Sequence, residues 1–175
     1  MRQEVQQQQI NNTLKELAKR CKGPGRVYLT GGTTAVLMGW RESTHDIDMK
    51  FRPEPPGIFE AIRVLKDELQ VNIELASPDD FLPPLPGWED RSILIGSYNQ
   101  VEFYHYDYYA QALSKIQRGH KRDLLDVENM FAKKLITPEK LRELFQAIEP
   151  DLIRYPSISP KDLKNKLETT LGRIS

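Results

Sequence analysis

The sequence predicts an α+β (α/β-like) fold: strands and helices alternate to build a sheet, and a helical C-terminal region follows. Three observations carry this. An N-terminal segment of helical period leads into two short strands, which a Gly-Gly turn and a short apolar helix separate. A third strand and a hairpin follow an amphipathic helix. From Tyr108 onward the apolar residues keep helical spacing. No internal repeat is visible, and 175 residues suit a single domain spanning 1–175.

In chain order, residues 4–22 read as a helix, with Ile10, Leu14 and Leu17 at i, i+4 and i+7. Gln6 to Gln9 within it is a polar tract that reads as a solvated face. Gly23-Pro24-Gly25 ends the helix. Arg26–Thr30 is a strand, Gly31-Gly32 breaks it, and Thr33–Trp40 is long enough for about two helical turns. Asp46–Phe51 alternates with period two and reads as the second strand. Ile58–Leu69 is an amphipathic helix, and Val71–Leu75 the third strand. Ser77–Trp88 is a loop rich in proline (Pro78, Pro83, Pro84, Pro86) that could wall a cleft with Asp79 and Asp80, or simply cap a core edge. Ser92–Ser97 and Val101–Asp107 form a hairpin turned at Tyr98-Asn99-Gln100. Gly119 separates two of the later helical segments. Thr137-Pro138-Glu139 opens a helix by capping, by a proline at the first position and by an acid at the positive end of the dipole. Pro156 and Pro160 frame a loop before a last short helix.

Lys and Arg number 25, as do Asp and Glu, so the formal net charge is zero. That argues against a bulk polyanion binder and leaves room for a local basic patch. A single cysteine, Cys21, excludes an internal disulfide and a cysteine-rich zinc site. No apolar run approaches the ~18–20 residues of a membrane span, and the N-terminal residues lack the apolar core of a signal peptide. The expectation is a cytoplasmic protein without a membrane partner.

The chemistry is concentrated in Leu29–Phe51, which reads strand, Gly-Gly turn, short helix, polar loop and Asp-x-Asp strand. Glycines permit close approach of backbone to phosphate, and the helix start offers free N–H groups to an anion. Asp46 and Asp48 lie two apart on a strand and so face one side. Two such carboxylates suit hard divalent cations.

With Gly31-Gly32, Asp46-Ile-Asp48 and the polar positions Arg41, Ser43 and Thr44, the chain resembles the nucleotidyltransferase superfamily of polymerase-β-like fold. It looks closest to the branch that includes AbiEii-type toxins. Lys115, Arg118, Arg122, Asp123 and Asp126 match that branch's pattern of a helical lysine followed by Arg-Asp-x-x-Asp. The resemblance covers about residues 26–130, between the N-terminal helix 4–22 and the C-terminal helices 137–175. It implies a mixed β-sheet flanked by helices. It also implies transfer of an NMP from an NTP to a hydroxyl acceptor (RNA such as tRNA, protein or a small molecule), with Mg²⁺ or Mn²⁺ as cofactor.

In that reading Asp46 and Asp48 are catalytic and hold the metal. Gly31, Gly32, Thr33, Arg41 and Ser43 bind nucleotide, Lys115 offsets triphosphate charge, and Asp123 orients Lys115 or a hydroxyl. On one straight helix Lys115 and Asp123 would lie about 80° apart, an angle that a break at Gly119 would change. The superfamily's third carboxylate has three candidates: Glu74 first, then Glu102 and Asp107. The alternatives are a nucleotide-binding protein of the same fold that has lost transfer, and an interaction protein such as one half of a toxin–antitoxin pair. Tyr98, Tyr104, Tyr106, Tyr108 and Tyr109 read as sheet-packing residues before base-stacking ones. His45 could touch a phosphate. His105 and His120 lack metal-ligand partners at useful spacing.

Overall fold

The structure is a computed structural model that describes residues 4–174. In chain order its elements are α1 (Gln7–Arg20), β1 (Gly25–Thr30), α2 (Gly32–Leu37), β2 (Asp46–Phe51), α3 (Ile58–Glu68), β3 (Asn72–Leu75), a 3-10 turn at Pro78–Asp80, α4 (Trp88–Arg91), β4 (Ile93–Tyr98), β5 (Val101–His105), α5 (Tyr108–Arg118), α6 (Lys121–Ala132), α7 (Pro138–Ile148), a 3-10 segment at Glu149–Arg154, and α8 (Pro160–Ile174). The fold is α+β, with a five-stranded mixed sheet and a helical C-terminal region. The backbone divides into two compact units. One holds the chain up to Ser77 together with Ser92–Tyr106; the other holds Pro78–Arg91 and everything from Asp107.

The first unit contains the whole sheet, ordered β3-β2-β1-β5-β4. β1 runs antiparallel to β2 and parallel to β5, β2 runs parallel to β3, and β4 pairs antiparallel with β5. Alternation sorts the strands into two faces. Val27, Leu29, Ile47, Met49, Ile73, Val101 and Phe103 join one buried core with Ile10, Leu14 and Leu17 of α1 and Ile58, Ile62 and Leu65 of α3. The other face carries Tyr28 against its register partner Tyr104, ring centroids 5.2 Å apart, with Tyr106 edge-on at 6.2 Å. These tyrosines pack on the sheet, as the alternation suggests.

In the second unit α5 and α6 meet across Gly119, which takes φ +71°. The Asp107 carboxylate caps α5 by accepting from the Tyr109 N–H at 3.1 Å, and accepts from Arg91 at 2.7 Å. Arg91 also donates to the Pro86 carbonyl at 2.7 Å, which ties the proline-rich segment to the start of α5. Thr137 caps α7 by accepting from Lys140 N–H at 3.3 Å, as its position before Pro138 implies.

Several element boundaries need correction. The N-terminal helix starts at Gln7, not at residue 4. Gln6 and Gln9 form a reciprocal capping box, and Val5 instead forms a bridge with Thr44, buried against the core. The helix after the Gly-Gly turn stops at Leu37, and Gly39 turns the chain at φ +88°. The proline-rich loop holds a 3-10 turn and leads into α4. The last helix is not short. It has 15 residues because Leu163, Leu167 and Leu171 keep one apolar stripe for two full turns.

His105 sits on the core face, 5% exposed. Its Nδ1 lies 3.1 Å from the Thr34 hydroxyl, which donates to the Leu29 carbonyl at 3.3 Å. Burial pushes its pKa down from 6.5 to about 4. The unfolded chain therefore binds this proton more readily than the fold does. The stabilisation from a neutral His105 is full above the unfolded value and is lost as pH falls toward about 4, a change of roughly 3 kcal/mol. Urea denaturation at about pH 7 and about pH 4 should show that loss, and His105→Gln should flatten it. An unchanged pH slope in the variant would assign the effect to another group.

Candidate active site

β2 is where the sequence pattern and the geometry meet. Ile47 and Met49 point into the core, so Asp46 and Asp48 emerge together on the opposite face, each half-buried. Parallel pairing with β3 sets Asn72 beside Asp46 and Glu74 beside Asp48. Carboxylate oxygens of Asp46, Asp48 and Glu74 all come within 4.8 Å of one another. Asn72 bridges the group, its Nδ2 donating to Asp46 at 2.5 Å and to Glu74 at 3.0 Å. Three oxygen-donor side chains so clustered fit a hard divalent cation such as Mg²⁺ or Mn²⁺. Sequence reading missed Asn72. Its signal was the alternation in Asn72-Ile-Glu74, which places it on the same face as the acid.

The Gly-Gly turn lies against these acids. Gly31 takes φ +65°, and a Cβ there would stand 3.0 Å from Asp48 Oδ2. A Cβ on Gly32 would stand 2.3 Å from the Thr44 hydroxyl and 3.2 Å from Arg41 Nη1. Both positions therefore need glycine, the first for conformation and the second for space. Thr33 is fully buried. Its hydroxyl accepts from the Asp48 N–H and donates to the Asp46 carbonyl, each at 3.2 Å. What Thr33 can offer an anion is its backbone N–H. Thr44 donates to the same Asp46 carbonyl at 3.3 Å. Ser43 donates to Glu4 at 2.8 Å, and His45 pairs with Glu4 at 3.2 Å.

Lys115 and Asp123 belong to the second unit. Lys115 is 3% exposed, and its ammonium contacts Asp126 at 2.8 Å and Asp123 at 3.5 Å. Arg118 adds a 3.0 Å contact to Asp123. The sequence alone equally allowed a solvated, salt-bridged helix pair, but Lys115, Asp123 and Asp126 are buried, and only Arg118 reaches solvent. The reversal at Gly119 folds α6 back so that both acids reach one lysine.

The rivals for the third carboxylate have other partners. Glu102 on β5 accepts from Arg26 at 3.2 Å, and Asp107 is engaged by Arg91 and the α5 amide. Burial pushes the Cys21 thiol up, which disfavours a thiolate. Among the described residues no helix is long and apolar enough to cross a membrane.

Residues 6–169 match the model of a family described as "Nucleotidyltransferase of unknown function (DUF6036)". The chain belongs to this family. No curated protein and no solved structure matches the chain. The superfamily resemblance drawn from Gly31-Gly32 and Asp46-Ile-Asp48 thus agrees with the family's nucleotidyltransferase description.

Two substitutions in this nucleotidyltransferase family member probe the framework. Gly32→Ala drives a methyl into Thr44, which is held by its own hydrogen bond, and should cost about 1–3 kcal/mol in urea denaturation. Lys115→Met leaves Asp123 and Asp126 without their shared ammonium and should cost about 3–5 kcal/mol. Adding Asp123→Asn and Asp126→Asn to Lys115→Met should recover part of that loss.

Proposed function

We propose that the chain transfers a nucleoside monophosphate from an NTP to a hydroxyl acceptor and releases pyrophosphate. The observation that carries this is the set Asp46, Asp48 and Glu74 beside the Gly31-Gly32 turn. These three carboxylates would hold Mg²⁺ or Mn²⁺, which when bound supplies charge neutralisation and orientation of the phosphates. The backbone of Gly31, Gly32 and Thr33 would donate to the β- and γ-phosphates. Arg41, beside Gly32, would offset triphosphate charge, and Ser43 would close the loop through Glu4. The resemblance adds Lys115 near the triphosphate with Asp123 orienting it, and the 3.5 Å contact between them supports the orienting role. Positioning and charge complementarity would then supply most of the rate.

Within this reading the chain sits nearest the AbiEii-like branch, on Arg118, Arg122, Asp123 and Asp126. A toxin role in the cytoplasm with an antitoxin partner is the matching setting. Expression that arrests growth, relieved by Asp46→Asn with Asp48→Asn, would support it.

Incubation with Mg²⁺, α-labelled NTPs and total cellular RNA and protein should label an acceptor. The double substitution Asp46→Asn and Asp48→Asn should lower labelling at least ~100-fold. Mg²⁺ should raise the melting temperature of the wild type, and the double substitution should abolish that rise. Equal labelling by both proteins would overturn the reading.

A further inference from the structure

β3 closes one edge of the sheet, and Glu74 on it is exposed. Its backbone is fixed by the register with Asp48, but a side chain at an exposed edge can swing away from its neighbours. Asn72 restrains it. The two residues share a face of β3, and parallel pairing puts Asn72 opposite Asp46. Neighbouring strands lie about 4.8 Å apart, within reach of a side chain as short as asparagine. One nitrogen, Nδ2, donates to Asp46 Oδ1 at 2.5 Å and to Glu74 Oε1 at 3.0 Å. Among the described residues it is the one hydrogen-bond donor to the Glu74 carboxylate.

The chemistry decides which end of the carboxamide faces the acids. Ionised carboxylates accept hydrogen bonds and cannot donate them, so the NH2 group, with its two donors, suits both. Charge matters as much. In the second unit the Lys115 ammonium lies against Asp123 and Asp126 and offsets their charge. Asn72 is neutral. It draws two carboxylates together and leaves their negative charge for a cation to meet. Partners of this kind orient metal ligands, and losing one weakens metal affinity by about 10–100-fold.

We propose that Asn72 is a positioning residue for the metal. It holds Asp46 and Glu74 at liganding separation before the ion arrives, and it touches neither the ion nor the phosphates. This rests on the metal-dependent transferase reading above.

The test is Mn²⁺ binding to the full chain without nucleotide or acceptor, read from the loss of the free-ion electron paramagnetic resonance signal. Asn72→Leu keeps the size of the carboxamide and removes its donors. It should bind Mn²⁺ about 10–100-fold more weakly than the wild type. Its melting temperature without metal should change little, since asparagine is itself a poor strand former. Glu74→Gln should also weaken binding. Because Asn72 acts through Asp46 and Glu74, the double variant should lose much less than the product of the two single losses. In ¹H–¹⁵N spectra the Asn72 NH2 pair, assigned by its absence from Asn72→Leu, should keep its hydrogen-bonded shifts when Mg²⁺ saturates the site. Equal Mn²⁺ affinity in wild type and Asn72→Leu, or losses that multiply in full, would overturn the proposal and leave the transferase reading standing. So would an NH2 pair that moves to the exposed position on Mg²⁺ binding, since Asn72 would then turn Oδ1 to the ion as a ligand. A wild type that holds no Mn²⁺ would also overturn it, and labelling of an acceptor then decides the transferase reading by itself. Asn72-dependent Mn²⁺ binding with no labelling of any acceptor would instead sink the transferase reading and keep the role of Asn72.

Discussion

The hydroxyl of Thr33 makes two hydrogen bonds, and both go to β2. It accepts from the Asp48 N–H and donates to the Asp46 carbonyl. A helix of six residues has little stability of its own, so this buried clamp, with the burial of Ala35 and Val36, holds α2 against the strand. The neighbouring contacts depend on it. With α2 fixed, Gly31 is pressed to within one atom's width of Asp48, and Gly32 against Thr44. Any bulk at either glycine would push the turn away from β2 and from the carboxylates.

The sheet then supplies what the clamp cannot. Parallel pairing of β2 and β3 sets Glu74 beside Asp48, and the antiparallel partner Thr30 flanks it on the other side. A one-residue slip of β3 would turn Glu74 into the core and bring Ile73 out. Ile73 is 2% exposed, so that slip is opposed by the loss of its burial. Hydrophobic patterning on one face thus fixes the position of an acid on the other.

The parts of this arrangement that were legible in the sequence are those set by local rules. Asp46–Phe51 alternates strictly, and β2 has those bounds. Gly119, Thr137 and Pro138 mark their breaks and starts because each acts through its own backbone or its nearest N–H groups. Glu74 ranked above Glu102 and Asp107 because it follows the helix after Asp-x-Asp. Its closeness to Asp48 rests on strand order, which no local pattern states. The same applies to Val5, whose bridge to Thr44 joins residues far apart in sequence, and to Asn72. Lys115 was ambiguous for a different reason. Charged residues at helical spacing look alike whether solvated or buried, and only the fold-back at Gly119 decides.

The neutral net charge conceals two opposite local arrangements. In the second unit one buried ammonium is matched by two acids, with Arg118 completing the set. In the first unit three carboxylates share a volume whose ligand oxygens lie within 4.8 Å, and the neutral Asn72 donates to two of them. The backbone of Asp46 and Asp48 is held by the Thr33 hydroxyl and Glu74 by the register of β3. The same strand packing that buries Ile47, Met49 and Ile73 on one face therefore brings the three carboxylates together on the other.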